Sequence, residues 1–230
     1  MRVVYTKFKV LGFCLLILVA CNDDDEGITS DQVLVGENYF PLAMGQVKIY
    51  QVDSILYDDF NNSVDTLSFQ RKEEVTGIFV DGGGRTSFIT TLSFRTDSTA
   101  SWTLIKNFTQ VKLRQRVEIM EDNVTTVPLI FPFAENKRWD ANAFNDFEEQ
   151  TFRYKNLYQT VQINQQSYDS VATVAQIDSE NLIQRIFAEE KYAPNQGLIY
   201  RKSLNLNTEV SGEIRSGFEA TISLIEIQRP

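Results

Sequence analysis

The chain has 230 residues, 43% of them hydrophobic, and carries 22 Lys and Arg against 31 Asp and Glu, a formal charge of −9. That acidic balance argues against nucleic-acid or anionic-lipid binding by the folded body. Histidine is absent and Cys14 and Cys21 are the two cysteines, which removes Ser-His-Asp and Cys-His catalysis and any His-based metal or haem site, so no cofactor is expected.

At the start of the chain Arg2, Lys7 and Lys9 precede an apolar run, Val10-Leu11-Gly12-Phe13-Cys14-Leu15-Leu16-Ile17, which ends in Leu18-Val19-Ala20-Cys21. A basic start, an apolar middle and a small residue before the cut make residues 1–20 a secretory signal peptide. The apolar stretch is too short for a membrane-spanning helix, which needs roughly 20 residues. With Cys21 in the first mature position, the segment resembles the lipobox of bacterial lipoproteins. The resemblance implies cleavage after Ala20, a diacylglyceryl thioether on Cys21 and N-acylation, so that fatty-acyl (palmitate-type) chains anchor the protein in a membrane. Each buried CH₂ contributes about 0.8 kcal/mol, and two or three chains make release very slow. Cys14 leaves with the leader and Cys21 is consumed by the lipid, so the mature body has no disulfide and no thiol nucleophile. Losing three cations leaves 19 Lys and Arg against 31 Asp and Glu, a mature charge of −12.

Next comes Asn22-Asp23-Asp24-Asp25-Glu26, within a polar segment that reads as a tether over residues 21–37. Such a block is ordinarily a solvated charged linker. Its position directly after the lipidated cysteine resembles the lipoprotein export signal of the Bacteroidota, which implies transport to the cell surface; a periplasm-facing site in the outer membrane is the alternative. Four triplets, Asp53-Ser54-Ile55, Asp65-Thr66-Leu67, Asp97-Ser98-Thr99 and Asp169-Ser170-Val171, resemble the O-glycosylation acceptor of the same phylum. They offer Ser54, Thr66, Ser98 and Ser170 as acceptors. The competing reading is that Asp-Ser and Asp-Thr pairs are ordinary turn residues.

The body, residues 38–230, reads as a single β-rich domain. Asn38 to Gly45 predicts an entry turn built on Pro41 and Gly45, and 47–57 alternates as a strand closed by Asp58-Asp59-Phe60-Asn61-Asn62. Strands follow at 67–69, 75–80 and 88–94, the last two joined across Asp81-Gly82-Gly83-Gly84-Arg85 as a hairpin. That glycine run lacks the Lys-Ser or Lys-Thr of a phosphate loop. Residues 102–108 and 111–119 predict another strand pair, with Val111, Leu113, Val117 and Ile119 on one face and Lys112, Arg114, Arg116 and Glu118 on the other. Pro128 and Pro132 make 127–133 an edge strand or a covering loop. Residues 139–150 form a polar mid-section, and strands are expected at 152–161, 171–177, 197–206 and 218–227. Leu182, Ile183, Ile186 and Phe187 have helix-like spacing, which predicts a helix over 180–191 that stops before Pro194.

The expected fold is therefore mainly β, with one short helix against a curved antiparallel sheet: a sandwich, a lipocalin-like barrel or an open half-barrel. Two segments, Tyr39-Phe40-Pro41-Leu42 with Gly45 and Tyr50, and Lys191-Tyr192-Ala193-Pro194-Asn195-Gln196-Gly197-Leu198-Ile199-Tyr200, are similar to segments of lipoproteins of unknown function. Asp140, Asp146, Glu148 and Glu149 are candidates for a carboxylate pair or a calcium site, and Trp102 and Trp139 for a stacking surface, against the ordinary reading of acidic loop and β core. The functional expectation is a non-enzymatic binding or accessory module on the outer-membrane surface, with a protein or glycan partner and membrane contact through the lipid. A periplasm-facing half-barrel that carries an acyl chain or a lipoprotein is the alternative, and a carboxylate-dependent hydrolase comes third.

Overall fold

The computed structural model describes residues 36–230. The leader, Ala20, Cys21 and the acidic residues Asn22 to Glu26 lie outside the described residues. A 3₁₀ turn, Glu37–Tyr39, leads into twelve strands: β1 Val47–Asp58, β2 Ser63–Val80, β3 Thr86–Arg95, β4 Thr103–Lys112, β5 Arg116–Glu121, β6 Val124–Ile130, β7 Arg138–Asp140, β8 Thr151–Ile163, β9 Gln166–Glu180, β10 Gln184–Ala193, β11 Gly197–Thr208 and β12 Ile214–Gln228.

All twelve belong to one antiparallel sheet in the order β6-β5-β4-β3-β2-β1-β12-β11-β10-β9-β8-β7. Strands consecutive in sequence pair with one another, except β6 with β7, and β1 also pairs with β12, from Val47 opposite Gln228 to Tyr57 opposite Gly217. The two free edges, β6 and β7, are consecutive in sequence, and the sheet curls until they nearly meet. There Val127 N–H donates to the Ala141 carbonyl at 2.9 Å, and Trp139 Nε1 donates to the Val127 carbonyl at 2.8 Å. The Tyr154 hydroxyl donates to the Ile130 carbonyl at 2.6 Å and accepts from Ile130 N–H at 3.0 Å. Asn145 Nδ2 donates to the Thr125 carbonyl at 2.8 Å. These side chains occupy backbone groups that an open edge would offer to another chain.

The core has two parts. Tyr39, Phe131, Phe133, Phe152, Tyr154, Val174 and Tyr192 belong to one cluster behind the seam; Phe133 packs on Tyr39 and Tyr154, with ring centroids 4.9 and 4.4 Å apart. Tyr50, Ile163, Tyr168, Val171, Ile199 and Leu224 form the second. The meander puts the turns at 59–62, 181–183 and 209–213 at one end of the sheet, where Phe60, Leu182 and Val210 are 95, 75 and 74% exposed. The first described residues lie at the opposite end, where Asn195 N–H donates to the Asn38 carbonyl.

The antiparallel β class, the curved sheet and the edge position of Pro128 agree with the expectation. Two local expectations fail. Residues 180–191 are not a helix: 181–183 is a turn and Gln184–Ala193 is strand β10, paired on both sides. Leu182 and Ile183 are apolar turn residues, so the spacing they made with Ile186 and Phe187 was not a buried helical face. The only helical piece among the described residues is the 3₁₀ turn at Glu37–Tyr39. Residues 111–119 are not one strand either. The chain reverses at 113–115, pairing Val111 with Glu118 and Gln110 with Ile119, so Val111 and Ile119 face opposite sides of the sheet.

Candidate functional site

Inside the curl, the two-residue period of β1 and β2 sets Lys48 beside Glu73 and Tyr50 beside Arg71 on the same inner face. On the other side of β12, the β10–β11 register sets Glu190 opposite Arg201, and Tyr192 lies two residues along from Glu190. Of these, Lys48, Tyr50, Arg71, Glu73, Tyr192 and Arg201 meet Phe40, Phe108, Gln110, Ile119, Glu121, Pro128 and Leu198 around an interior cavity of about 270 Å³, with Glu190 behind Arg201.

The cavity is strongly charged. Glu190, almost wholly buried, accepts from Arg201 Nε at 2.7 Å and also pairs with Arg201 Nη2. The Tyr192 hydroxyl donates to its second oxygen at 2.5 Å. The carboxylate holds the Arg201 proton more firmly than usual, against the opposing effect of burial. Arg201 is hemmed in by protein yet keeps 36% of its side chain accessible, which fits a group lining a cavity. Arg71 Nη2 pairs with Glu73 at 2.5 Å. Burial pushes the Tyr192 and Tyr50 hydroxyls well above their ordinary pKa, with Glu190 adding to the effect at Tyr192 and Glu73 at Tyr50.

Two donors in this cavity are unspent. Arg71 Nε is buried without a hydrogen-bond partner. Lys48 is 8% exposed, and among the described residues its ammonium has no hydrogen bond or ion pair; it lies 5.7 Å from the centroid of the Phe40 ring. Burial lowers its pKa, and the nearby Glu73 charge partly offsets this. The ammonium is also the near neighbour of Gly197, where an added Cβ would come within 2.6 Å of Lys48 Nζ.

A second hollow, about 260 Å³, lies on β2 to β6 and is lined by Phe79, Arg85, Val111, Glu118 and Met120. Its charges are spent on one another. Asp81 Oδ1 accepts from the backbone of Gly83 and Arg85, and Arg85 bridges Asp81 at 2.8 Å and Glu118 at 2.7 Å. The glycine run is thus the β2–β3 hairpin turn, as read from sequence. Arg116 completes the set by pairing with Glu118 at 2.6 Å and lies over the Phe144 ring at 4.4 Å; Lys112 and Arg116 flank the turn at 113–115, so they do not form a stripe along one strand.

The acidic mid-section is structural. Asp140 Oδ1 accepts from the backbone of Asn142 and Gln150, both at 2.9 Å, which ties down the loop after β7. Glu149 accepts from Thr151. Among the described residues no three His, Cys, Asp or Glu side chains come together as a metal-ligand set. Trp139 packs on Phe152 and Tyr154 in the core, and Trp102 lies under Arg95, 4.3 Å from its ring centroid. The structure does not bring the two tryptophans together as a stacking surface. Thr66, Ser98 and Ser170 are exposed and Ser54 half-buried. Asp97 takes the turn role, accepting from Thr99 and Ala100 N–H, whereas Asp53, Ser54, Asp65 and Thr66 lie within paired strands. The Ser170 backbone has φ of 56° and its carbonyl accepts from the Tyr39 hydroxyl.

No protein-family model and no curated protein matches this chain. Among solved structures, similar chains include a Bacteroides fragilis protein designated exported and of YmcC-like fold, at 9% identity, covering 83% of this chain and 98% of its own with a TM-score of 0.43. A lipoprotein of Parabacteroides distasonis is similar at 11% identity, the same coverages and a TM-score of 0.41. A Vibrio parahaemolyticus domain designated an outer-membrane lipoprotein-sorting protein aligns at 14% identity over 80% of this chain and 85% of its own, with a TM-score of 0.19. All three designations are themselves inferences, and at these distances they assign neither family nor function.

Proposed function

We propose that this chain is a lipid-anchored bacterial envelope protein, displayed on the outer-membrane surface, whose β unit binds a ligand or partner without catalysis. The observation that carries the placement is the order basic leader, lipobox-like Leu18-Val19-Ala20-Cys21 and acidic run Asn22 to Glu26. The binding reading is supported by the interior cavity, whose charged groups are arranged as salt bridges with donors left over. A chain without histidine, and without thiol once Cys14 leaves and Cys21 is acylated, has no imidazole or thiol for catalysis there.

The acyl-carrying half-barrel ranks behind this reading. A carrier needs a continuous apolar cavity, whereas the interior space here is lined by Lys48, Arg71, Glu73, Glu121 and Arg201. The O-glycosylation of Ser54, Thr66, Ser98 and Ser170 remains part of the proposal, and the exposure of three of them is compatible with it.

The test is labelling of expressing cells with radioactive palmitate together with protease treatment of intact cells. Wild-type chain should take up label and be cleaved from outside; Cys21→Ser should take up none and fractionate away from membranes. Label retained by Cys21→Ser would overturn the anchor, and full protection from protease would overturn surface display.

A further inference from the structure

We propose that the interior cavity is a binding site for a small organic carboxylate with an apolar body, its charged end held by Lys48 and Arg71. The proposal rests on the binding reading above but not on the membrane placement. Three observations carry it. First, one carboxylate faces two cations: Glu73 lies opposite Lys48 across β1 and β2 and pairs with Arg71, while Arg201 is taken by Glu190. Glu121, at the rim, shares Lys106 with Asp122, at 2.7 and 2.6 Å. Second, the excess is physically localised. Arg201 is committed to Glu190, and Arg71 gives one nitrogen to Glu73, so the unspent groups are the Lys48 ammonium and Arg71 Nε.

A buried ammonium without a partner, and a buried guanidinium N–H without an acceptor, each forfeit hydration with nothing in return. A monoanion at Lys48 supplies the missing partner and offsets the second cation beside Glu73. Third, the rest of the wall is apolar, from Phe40, Phe108, Ile119, Pro128 and Leu198, which favours an organic body over a bare inorganic ion. A cavity of about 270 Å³ lies at the small end of ligand sites, just below the several hundred Å³ usual for drug-sized molecules. A single ring or short chain is the size that fits.

The test is calorimetric titration of benzoate into the full chain as purified, held in nanodiscs if it carries lipid. Benzyl alcohol serves as the uncharged counterpart and inorganic phosphate as the anion without an apolar body. Benzoate should bind one to one, at least tenfold more tightly than either comparison ligand. Lys48→Met should weaken benzoate at least tenfold while leaving the circular dichroism spectrum and melting temperature intact or raised, since it removes an unpaired buried charge. Glu73→Gln should tighten benzoate at least threefold by removing the carboxylate that competes for the same two cations, a gain that misfolding cannot mimic. The proposal is overturned by absence of benzoate binding, by equal affinity for benzyl alcohol or phosphate, or by unchanged affinity in either variant. None of these results touches palmitate labelling or protease access, so failure here is separable from failure of the membrane placement.

Discussion

At Gly217 an added Cβ would fall 2.0 Å from the Asn205 carbonyl oxygen and 2.9 Å from Leu206 Cα, on a backbone with φ of +122°. Both obstacles are backbone of the neighbouring strand, which cannot move aside without breaking the β11–β12 pairing. Gly217→Ala should therefore cost on the order of 2–4 kcal/mol in urea denaturation, from backbone strain and overlap together. Gly82, in the β2–β3 turn, meets nothing within 4 Å, and Gly82→Ala should stay within about 0.5 kcal/mol of wild type. Equal effects at the two positions would show that the register assigned to β11 and β12 is wrong. The same scale explains why the cavity was not legible in the sequence. Gln70-Arg71-Lys72-Glu73-Glu74 is polar at every position, so alternation gave no sign of which residues turn inward. Only the pairing with Lys48 and Tyr50 selects Arg71 and Glu73.

Among the elements, the seam between β6 and β7 depends most on side chains. Tyr154 both donates to and accepts from the backbone of Ile130, and burial pushes its hydroxyl pKa well up. Tyr154→Phe leaves an N–H and a carbonyl unpaired at a buried edge, and should cost about 2–3 kcal/mol. Amide exchange at Ile130 should quicken more than at the interior strand β1; equal protection at both would mean that the seam contributes nothing to closure. The strands at this seam illustrate what local pattern could reveal. Pro128 marked an edge correctly, because proline cannot donate to a central ladder. The turn at 113–115 went unseen because Leu113-Arg114-Gln115 contains no glycine, proline or asparagine to announce it. The helix expected at 180–191 failed for a related reason: its apolar spacing mixed turn residues with strand residues, and pairing with β9 and β11 outweighed local periodicity.

For the whole molecule, buried tyrosines set an alkaline limit. Burial raises the hydroxyl pKa of Tyr39 to about 12 and lifts those of Tyr50, Tyr154 and Tyr192 well above the ordinary value. An unfolded tyrosine ionises near pH 10. Below that pH both states keep the proton and these groups add no pH dependence. Above it the unfolded chain loses protons that the folded chain retains, so stability falls as pH rises. The urea midpoint should be flat with respect to these groups from pH 8 to 9.5 and decline from about pH 10 upward, with a shallower decline in Tyr50→Phe. A midpoint independent of pH up to 11.5 would contradict the burial of these rings.

The pairing of β1 with β12 has a consequence in time as well as in space. The first and last strands of this sheet are neighbours, with Val47 opposite Gln228, so the central ladder of the curl lacks its partner until nearly the whole chain is available. Closing a loop of that length makes folding slow. A chain threaded through a membrane from its N-terminus would complete that one ladder only when β12 arrived on the far side.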